Sequence, residues 1–209
     1  YTGRRTRPYN GPFRRGGAGT GKTVVVLHRA RALSRRTPGA RVLVTTFTTN
    51  LADAMATDLR RLDPDLVQAK TLGESGVYVS GIDALASAVL RSGAHDLEPD
   101  VQAVLGVAGV PTLGRFASNP WREALEAAGS GLPEALRSDA CLAAEYGTVI
   151  LPNRITTKEE YLKARRPGRG VALDRTKRAA VWDVVAACRA QARVAGTLDF
   201  PEATAIAAA

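Results

Sequence analysis

Eight consecutive residues near the start of the chain, Gly16-Gly17-Ala18-Gly19-Thr20-Gly21-Lys22-Thr23, have the types and spacing needed to hold a phosphate chain. They satisfy the pattern G-x-x-x-x-G-K-[ST], in which glycines let backbone N–H groups surround the phosphates without steric hindrance. Lys22 would bring a positive charge to the β- and γ-phosphates, so it is the candidate catalytic residue, and the Thr23 hydroxyl could coordinate Mg²⁺. We therefore predict that residues 16–23 bind ATP with Mg²⁺.

This phosphate-binding pattern requires a strand before it and a helix after it. Residues 22–34 read as an apolar helix, whose positive dipole end would point at the phosphates. The preceding segment, Gly11-Pro12-Phe13-Arg14-Arg15, is a poor central strand because two adjacent arginines are costly to bury unless they are paired or solvated. We expect this first strand to be short, frayed or incomplete.

Strands and helices alternate in the next part of the chain. The β-branched run 41–46 and the run 76–80 predict two strands. A helix beginning at Asn50, its expected N-cap, would lie between them, and another helix is predicted at 83–90 with Asp83 as its cap. The apolar stripe expected on the first of these helices consists of Leu51, Ala54, Met55, Leu59 and Leu62. This alternation predicts an α/β fold with a parallel sheet.

From about residue 91 the pattern becomes helical and is interrupted by Gly and Pro. Helical pieces are predicted at 121–128, 133–146, 158–165 and 175–195. Thr156 and Glu159 fit a capping box before the third piece, and Gly196 is a natural end for the last. We expect three parts: a nucleotide-binding portion at 1–90, a helical insertion at 91–196, and a return segment at 197–209.

The composition is that of an ordinary globular protein with a basic surface. The net charge of +9 favours a polyanionic partner such as a nucleic acid, although an arginine-rich chain can also reflect coding bias. No run is long and apolar enough for a membrane span, so we expect a cytoplasmic protein without a membrane partner. Cys141 and Cys188 match no metal spacing and are expected to be free thiols, and His28 is expected to be structural or exposed.

Three segments in order resemble motifs of UvrD/Rep-like superfamily 1 DNA helicases. The phosphate-binding run resembles their first motif, Val44-Thr45-Thr46-Phe47-Thr48-Thr49-Asn50-Leu51-Ala52 resembles their Thr-Phe-Thr segment, and residues 79–86 resemble the next one, with Asp83 where a histidine is commoner. The resemblance implies that Thr46, Phe47 and Thr48 contact single-stranded DNA. An exposed aromatic can stack on a base, whereas a core position for Phe47 is the alternative.

The resemblance also implies a fold and an activity. The fold would be a P-loop, RecA-like parallel sheet, incomplete here, with an inserted, mainly helical subdomain. Family members are ATP-dependent helicases, that is, ATP hydrolases that move along single-stranded DNA. Residues 198–203, Leu-Asp-Phe-Pro-Glu-Ala, resemble the segment that runs just ahead of their hydrolytic Asp-Glu pair.

No apolar strand of this sequence ends in Asp-Glu, and no glutamine precedes Gly16 to read adenine. We expect the hydrolytic pair to lie beyond Ala209 and the chain to be a fragment, so its own ATPase activity stays open. Two alternatives remain: another P-loop NTPase, and a non-enzymatic pseudo-ATPase or remnant. The arginines at 4–7 and 165–169 could hold phosphates, but solvated loops are the commoner outcome.

Overall fold

The computed structural model describes residues 21–92, 96–109, 111, 120–168 and 172–209. The chain divides into two compact units, Tyr1–Ser80 and Gly81–Ala209, which we call the N-terminal unit and the helical unit. Residues 16–20 of the phosphate-binding run and the expected strand at 11–15 lie outside the described residues. The same holds for the arginines at 4–7.

The N-terminal unit is a small α/β assembly. Its elements are α1 (Lys22–Arg36), β1 (Arg41–Thr46), α2 (Thr49–Leu62) and β2 (Gly76–Gly81), and the two strands pair as a parallel sheet. The predicted α/β class with a parallel sheet is thereby confirmed. Its core is formed by apolar side chains from all four elements and the segment after α2: Leu27, Ala30, Val44, Met55, Leu59, Leu66 and Val77.

The beginning of β2 is held close to the segment that follows α2. The Gly76 N–H donates to the Ala40 carbonyl oxygen at 2.8 Å, and the Val77 N–H donates to the Val67 carbonyl oxygen at 2.9 Å. A Cβ atom on Gly76, whose φ is +116°, would lie 2.5 Å from the Val67 oxygen. Only glycine fits this position, so β2 can lie between β1 and the segment near residue 67.

Helix α2 begins earlier than the sequence suggested. Its N-cap is Thr48, whose hydroxyl accepts a hydrogen bond from the Leu51 N–H at 3.3 Å, so the prediction of Asn50 as the cap was wrong. The buried face also differs from the expected stripe. Ala52, Met55 and Leu59 are buried, while Leu51 is 46% exposed, because α2 packs with this face toward α1 and β1.

The helical unit contains seven further α-helices among the described residues. They are α3 (Ile82–Arg91), α4 (Glu98–Leu105), α5 (Pro120–Ala128), α6 (Asp139–Glu145), α7 (Lys158–Lys163), α8 (Arg175–Ala195) and α9 (Phe200–Ala207). Gly196 ends α8 in the left-handed conformation, as predicted. Helices α4 and α9 were not predicted from the sequence, and α9 occupies part of the expected return segment.

Two predictions for the helical unit are corrected by the structure. The piece expected at 133–146 is a 3₁₀ turn at Glu134–Leu136 followed by α6, which Ser138 caps and which continues into a π-helix at Tyr146–Ile150. The capping box before α7 is formed by Thr157 and Glu160, one residue later than predicted, because Thr157 has the extended backbone of an N-cap.

Aromatic pairs organise the core of this unit. The Trp121 and Tyr146 rings meet edge to face with centroids 5.3 Å apart, and the Tyr161 and Trp182 rings stack at 5.8 Å. Helix α9 packs against α3 and α4, and α8 packs against α5 and α7. Buried residues from α3 to α9 thus form one continuous core.

Candidate nucleotide-binding site

The start of α1 has local features that suit an anion. Gly21 precedes the helix with φ +71° and ψ 17°, and no side chain caps the first turn. A helix begins with N–H groups that lack intrahelical partners, and a glycine cap cannot satisfy them with a side chain. No acidic residue occupies the first turn either, so the positive end of the helix dipole is not neutralised there.

Lys22 and Thr23 occupy the first two positions of α1, and both residues are exposed. Among the described residues, a Cβ built on Gly21 would meet nothing within 4 Å. Backbone N–H donors, an ammonium group and a hydroxyl thus belong to the first residues of one helix, which are the group types that a triphosphate with Mg²⁺ requires. The other candidates, Gly16, Gly17, Ala18, Gly19 and Thr20, lie outside the described residues.

A buried ionic link holds the far end of α1 in place. Asp63, immediately after α2, is only 4% exposed and accepts hydrogen bonds from Arg35 at 2.5 and 2.7 Å and from Arg31 at 2.7 Å. Hydrogen bonds from these two guanidinium groups hold the pKa of Asp63 well below its usual range. Two of the arginines on α1 therefore fasten the helix to α2.

The segment after β1 places an aromatic ring in solvent. Phe47 is 88% exposed, so the alternative that it belongs to the core is wrong. Thr46 is partly buried at the end of the strand, and Thr48 is exposed. Because the Thr48 hydroxyl accepts the Leu51 N–H, its own O–H remains a donor that could reach a phosphate oxygen.

Asp83 does not cap α3, contrary to the prediction. The helix starts at Ile82 after the N-cap Gly81, and Asp83 lies exposed in the first turn. A carboxylate there stabilises the helix through its dipole without bonding as a cap. His28 is exposed on α1, in keeping with the structural or surface role expected for it.

Arg166 was a candidate for holding DNA phosphates, but the structure places it in a buried ion pair. Its guanidinium donates to the Glu145 carboxylate at 2.5 and 2.7 Å, and the Tyr161 hydroxyl donates to the same carboxylate at 2.8 Å. The side chains of Arg166 and Glu145 are 7% and 2% exposed. Hydrogen bonding to Glu145 raises the pKa of Arg166, which remains charged and structural.

A second buried polar cluster was not predicted from the sequence. The Tyr146 hydroxyl donates to Glu202 at 2.5 Å and accepts a hydrogen bond from Arg189 at 3.0 Å. Asp199 and Glu202 form a capping box at the start of α9. The spacing Asp199-x-x-Glu202 is itself a capping-box signal, so this helix start could have been found from the sequence.

Comparison with known families agrees with this geometry. Residues 14–162 match the family model of the UvrD/REP helicase N-terminal domain, and this stretch is more than half of the chain. The chain belongs to this family. No curated protein and no solved structure matches it.

Within the described ranges of this helicase-family chain, no helix is long and apolar enough to cross a membrane. The same residues contain no cluster of His, Cys, Asp or Glu that could hold a metal ion. A magnesium site at Thr23 would be of a different kind, because a P-loop supplies one hydroxyl and leaves most of the coordination to phosphate oxygens and water.

Proposed function

We propose that this chain is the ATP-binding part of a UvrD-like, ATP-dependent helicase or translocase that acts on single-stranded DNA. The observation that carries the proposal is the uncapped, exposed start of α1 with Lys22 and Thr23, in a chain of the UvrD/REP helicase family. In this proposal residues 1–90 are the nucleotide-binding portion, 91–196 the helical insertion, and 197–209 the return segment.

Each residue of the proposed ATP site has a distinct role. Gly16 to Gly21 give the phosphates access to backbone N–H groups, and the first turn of α1 adds its dipole. Lys22 donates to the β- and γ-phosphates and offsets their charge, which is its catalytic role. The Thr23 hydroxyl holds Mg²⁺, and this ion, when bound, neutralises negative charge on the phosphate oxygens.

The proposed DNA contact follows β1. Thr46 and Thr48 offer hydroxyl groups to the backbone phosphates, and Phe47 offers a ring on which a base can stack. Phe47 is 88% exposed, so its ring is available for stacking. Binding loops also lie at the carboxyl ends of parallel strands in α/β proteins.

Family membership and the Thr46–Thr48 segment favour this proposal over a different P-loop NTPase. A pseudo-ATPase would still bind ATP through the same residues. A measurement of ATP hydrolysis, and not of ATP affinity, would therefore distinguish a pseudo-ATPase from a motor part.

Nucleotide titration of Lys22→Ala tests the ATP site. Hydrogen bonds to charged groups contribute about 1.5–3 kcal/mol, so affinity for a fluorescent ATP analogue with Mg²⁺ should fall about ten- to hundredfold. Lys70→Ala removes another exposed lysine, in the loop after α2, and should leave affinity unchanged. Equal affinity in the Lys22 variant and the unmodified protein would refute the site.

A further inference from the structure

Two carboxyl groups lie together at the start of α9. The Asp199 carboxylate accepts the Glu202 N–H at 2.7 Å, and Glu202 accepts the Asp199 N–H at 3.1 Å. Glu202 is also the acceptor of the Tyr146 hydroxyl. Glu202 is only 6% exposed and Asp199 is partly buried, so two groups that are both negative when ionised share a poorly solvated position.

The Arg189 guanidinium lies near this pair but donates its hydrogen bonds to other groups. Arg189 donates to the Tyr146 hydroxyl and to the carbonyl oxygens of Leu105 and Ile155, at 3.0, 3.4 and 3.1 Å. It lies over the rings of Tyr146 and Trp182, 5.2 and 5.9 Å from their centroids. No salt bridge to Asp199 or Glu202 is found in the part of the chain that the structure describes, so neither carboxylate is directly neutralised.

Burial and the charge of Glu202 raise the pKa of Asp199 to about 7, and the hydrogen bond from the Glu202 N–H and the charge of Arg189 oppose this rise. The other titratable groups that face the pair are Tyr146 and Cys188, whose pKa values burial also raises. Helices α3 and α4 pack against α9 as well. Their ionisable residues are not among the groups that shift the pKa of Asp199: Asp83, Arg91, Glu98 and Asp100.

We propose that Asp199 keeps a proton in the folded protein which the unfolded chain releases, so that α9 is a latch that loosens as the pH rises through neutrality. Glu202 accepts two hydrogen bonds, from Tyr146 and from the Asp199 N–H, whereas Asp199 accepts one, from the Glu202 N–H, so we assign the proton of the pair to Asp199. Losing that proton places two negative charges in the capping box and weakens the docking of α9.

The sign of the pH dependence follows from proton counting. Below about pH 4 Asp199 is protonated in both states, and above about pH 7 it is ionised in both. Between these values only the folded state holds the proton. The folding equilibrium constant should therefore fall as the pH rises, by roughly tenfold per unit within the window.

Urea unfolding of the whole chain, followed by tryptophan fluorescence, tests the latch. Both tryptophans, Trp121 and Trp182, lie in the helical unit, so the signal reports on that unit alone. The variant Asp199→Asn keeps a good N-cap but cannot ionise. The folding constant of the unmodified protein relative to this variant should fall on the order of a hundredfold from pH 5 to pH 8.

Asp174→Asn is the matched control. Asp174 caps α8 and accepts the Lys177 N–H at 2.8 Å, but it is exposed, and that hydrogen bond lowers its pKa. It is ionised in both states throughout this pH range, so the corresponding ratio should stay constant. A constant ratio for Asp199→Asn as well would overturn the proposal.

Two further measurements test whether the proton is on Asp199 and whether its loss loosens α9. Carbon-13 carboxyl shifts of the aspartate-labelled, unmodified protein should show one aspartate titrating near pH 7, and titration of all aspartates below pH 5 would overturn the proposal. Hydrogen exchange of residues 200–207 at pH 8 should be slower in Asp199→Asn than in the unmodified protein, and equal at pH 5.5. Equal protection at both pH values would contradict a latch on α9.

Discussion

The N-termini of α1 and α9 begin in opposite ways. Gly21 before α1 offers no side chain, and the first two residues of that helix are exposed. Asp199 before α9 accepts a backbone hydrogen bond, and Glu202 returns one. Both helices need partners for their first N–H groups. The chain supplies these partners at α9 from two side chains of its own, whereas no side-chain cap is found at α1 among the residues that the structure describes.

The two units differ in the same sense in their apolar surfaces. Within the described residues, most of the exposed large apolar side chains belong to the N-terminal unit, including Val24 and Phe47. In the helical unit, only Val194 and Phe200 among the described residues are of this kind. Among the described residues, the N-terminal unit therefore presents more large apolar side chains to solvent, whereas the helical unit packs its aromatic rings and several of its charged groups internally.

Of the predicted effects, the largest should be the loss of unfolding free energy in Arg166→Ala. This variant tests whether basic residues of the helical unit stabilise its interior. Removing one partner of a buried ion pair leaves Glu145 uncompensated and costs about 3–5 kcal/mol of unfolding free energy. Urea unfolding detected by tryptophan fluorescence measures it. The neighbour Arg165 is exposed, so Arg165→Ala should change the unfolding free energy by less than about 0.5 kcal/mol.

The Arg166 variant should also bind single-stranded DNA like the unmodified protein in the pH and salt range where it stays folded. Loss of DNA affinity in a demonstrably folded variant would instead show that this arginine holds phosphates. The helical unit would then use a basic residue to bind DNA, and the two units would not differ in this respect.

Phe47→Ala should give an intermediate effect, on DNA binding alone. Base stacking on an aromatic contributes about 1–3 kcal/mol, so single-strand affinity should fall about five- to hundredfold. The slope of affinity against salt should not change, because no charge is removed. Titrations at several salt concentrations measure both quantities, with circular dichroism to verify folding.

Val67→Ala is the matched control for Phe47. Val67 is another exposed apolar side chain of the same unit, 63% accessible, but it does not follow β1. Its removal should leave DNA affinity intact. An equal loss in both variants, or none in Phe47→Ala, would contradict the proposed stacking role.

Gly21→Ala should give the smallest effect and examines the uncapped start of α1 directly. The left-handed conformation costs a residue with a Cβ about 1–2 kcal/mol, although no atom lies within 4 Å to clash with the new carbon. Nucleotide affinity should decrease because the backbone that faces the phosphates is strained. Thermal unfolding by circular dichroism measures the cost to stability.

Gly73→Ala separates backbone strain from the site itself. Gly73 has φ +93° and is equally uncrowded, but it lies in the loop before β2. Its substitution should cost similar stability while leaving ATP-analogue affinity unchanged. If both glycine variants bind nucleotide equally well, the geometry of Gly21 does not contribute to binding.

Local patterns predicted the elements well where a single helix or strand determines its own start and period. The strand at 41–46 and the helices at 22–36 and 175–195 agree closely with their patterns, because periodicity and turn residues act within each element. The errors lie mainly at helix caps. Asn50 was predicted as a cap in place of Thr48, and Thr156 in place of Thr157. Which residue caps a helix depends on its backbone angles, and spacing does not reveal them.

For the candidate site, the sequence by itself determined the ATP-binding pattern with Lys22 and Thr23, the strand that leads to Phe47, and the resemblance to the helicase family. These depend on residue type and local spacing. Only the tertiary structure decided that Phe47 is exposed, that Arg166 is buried against Glu145, and that Glu202 meets Tyr146. Residues 21 to 56 positions apart in the chain form the last two contacts. Charge pairing between such distant residues depends on how helices pack, and no local pattern records it.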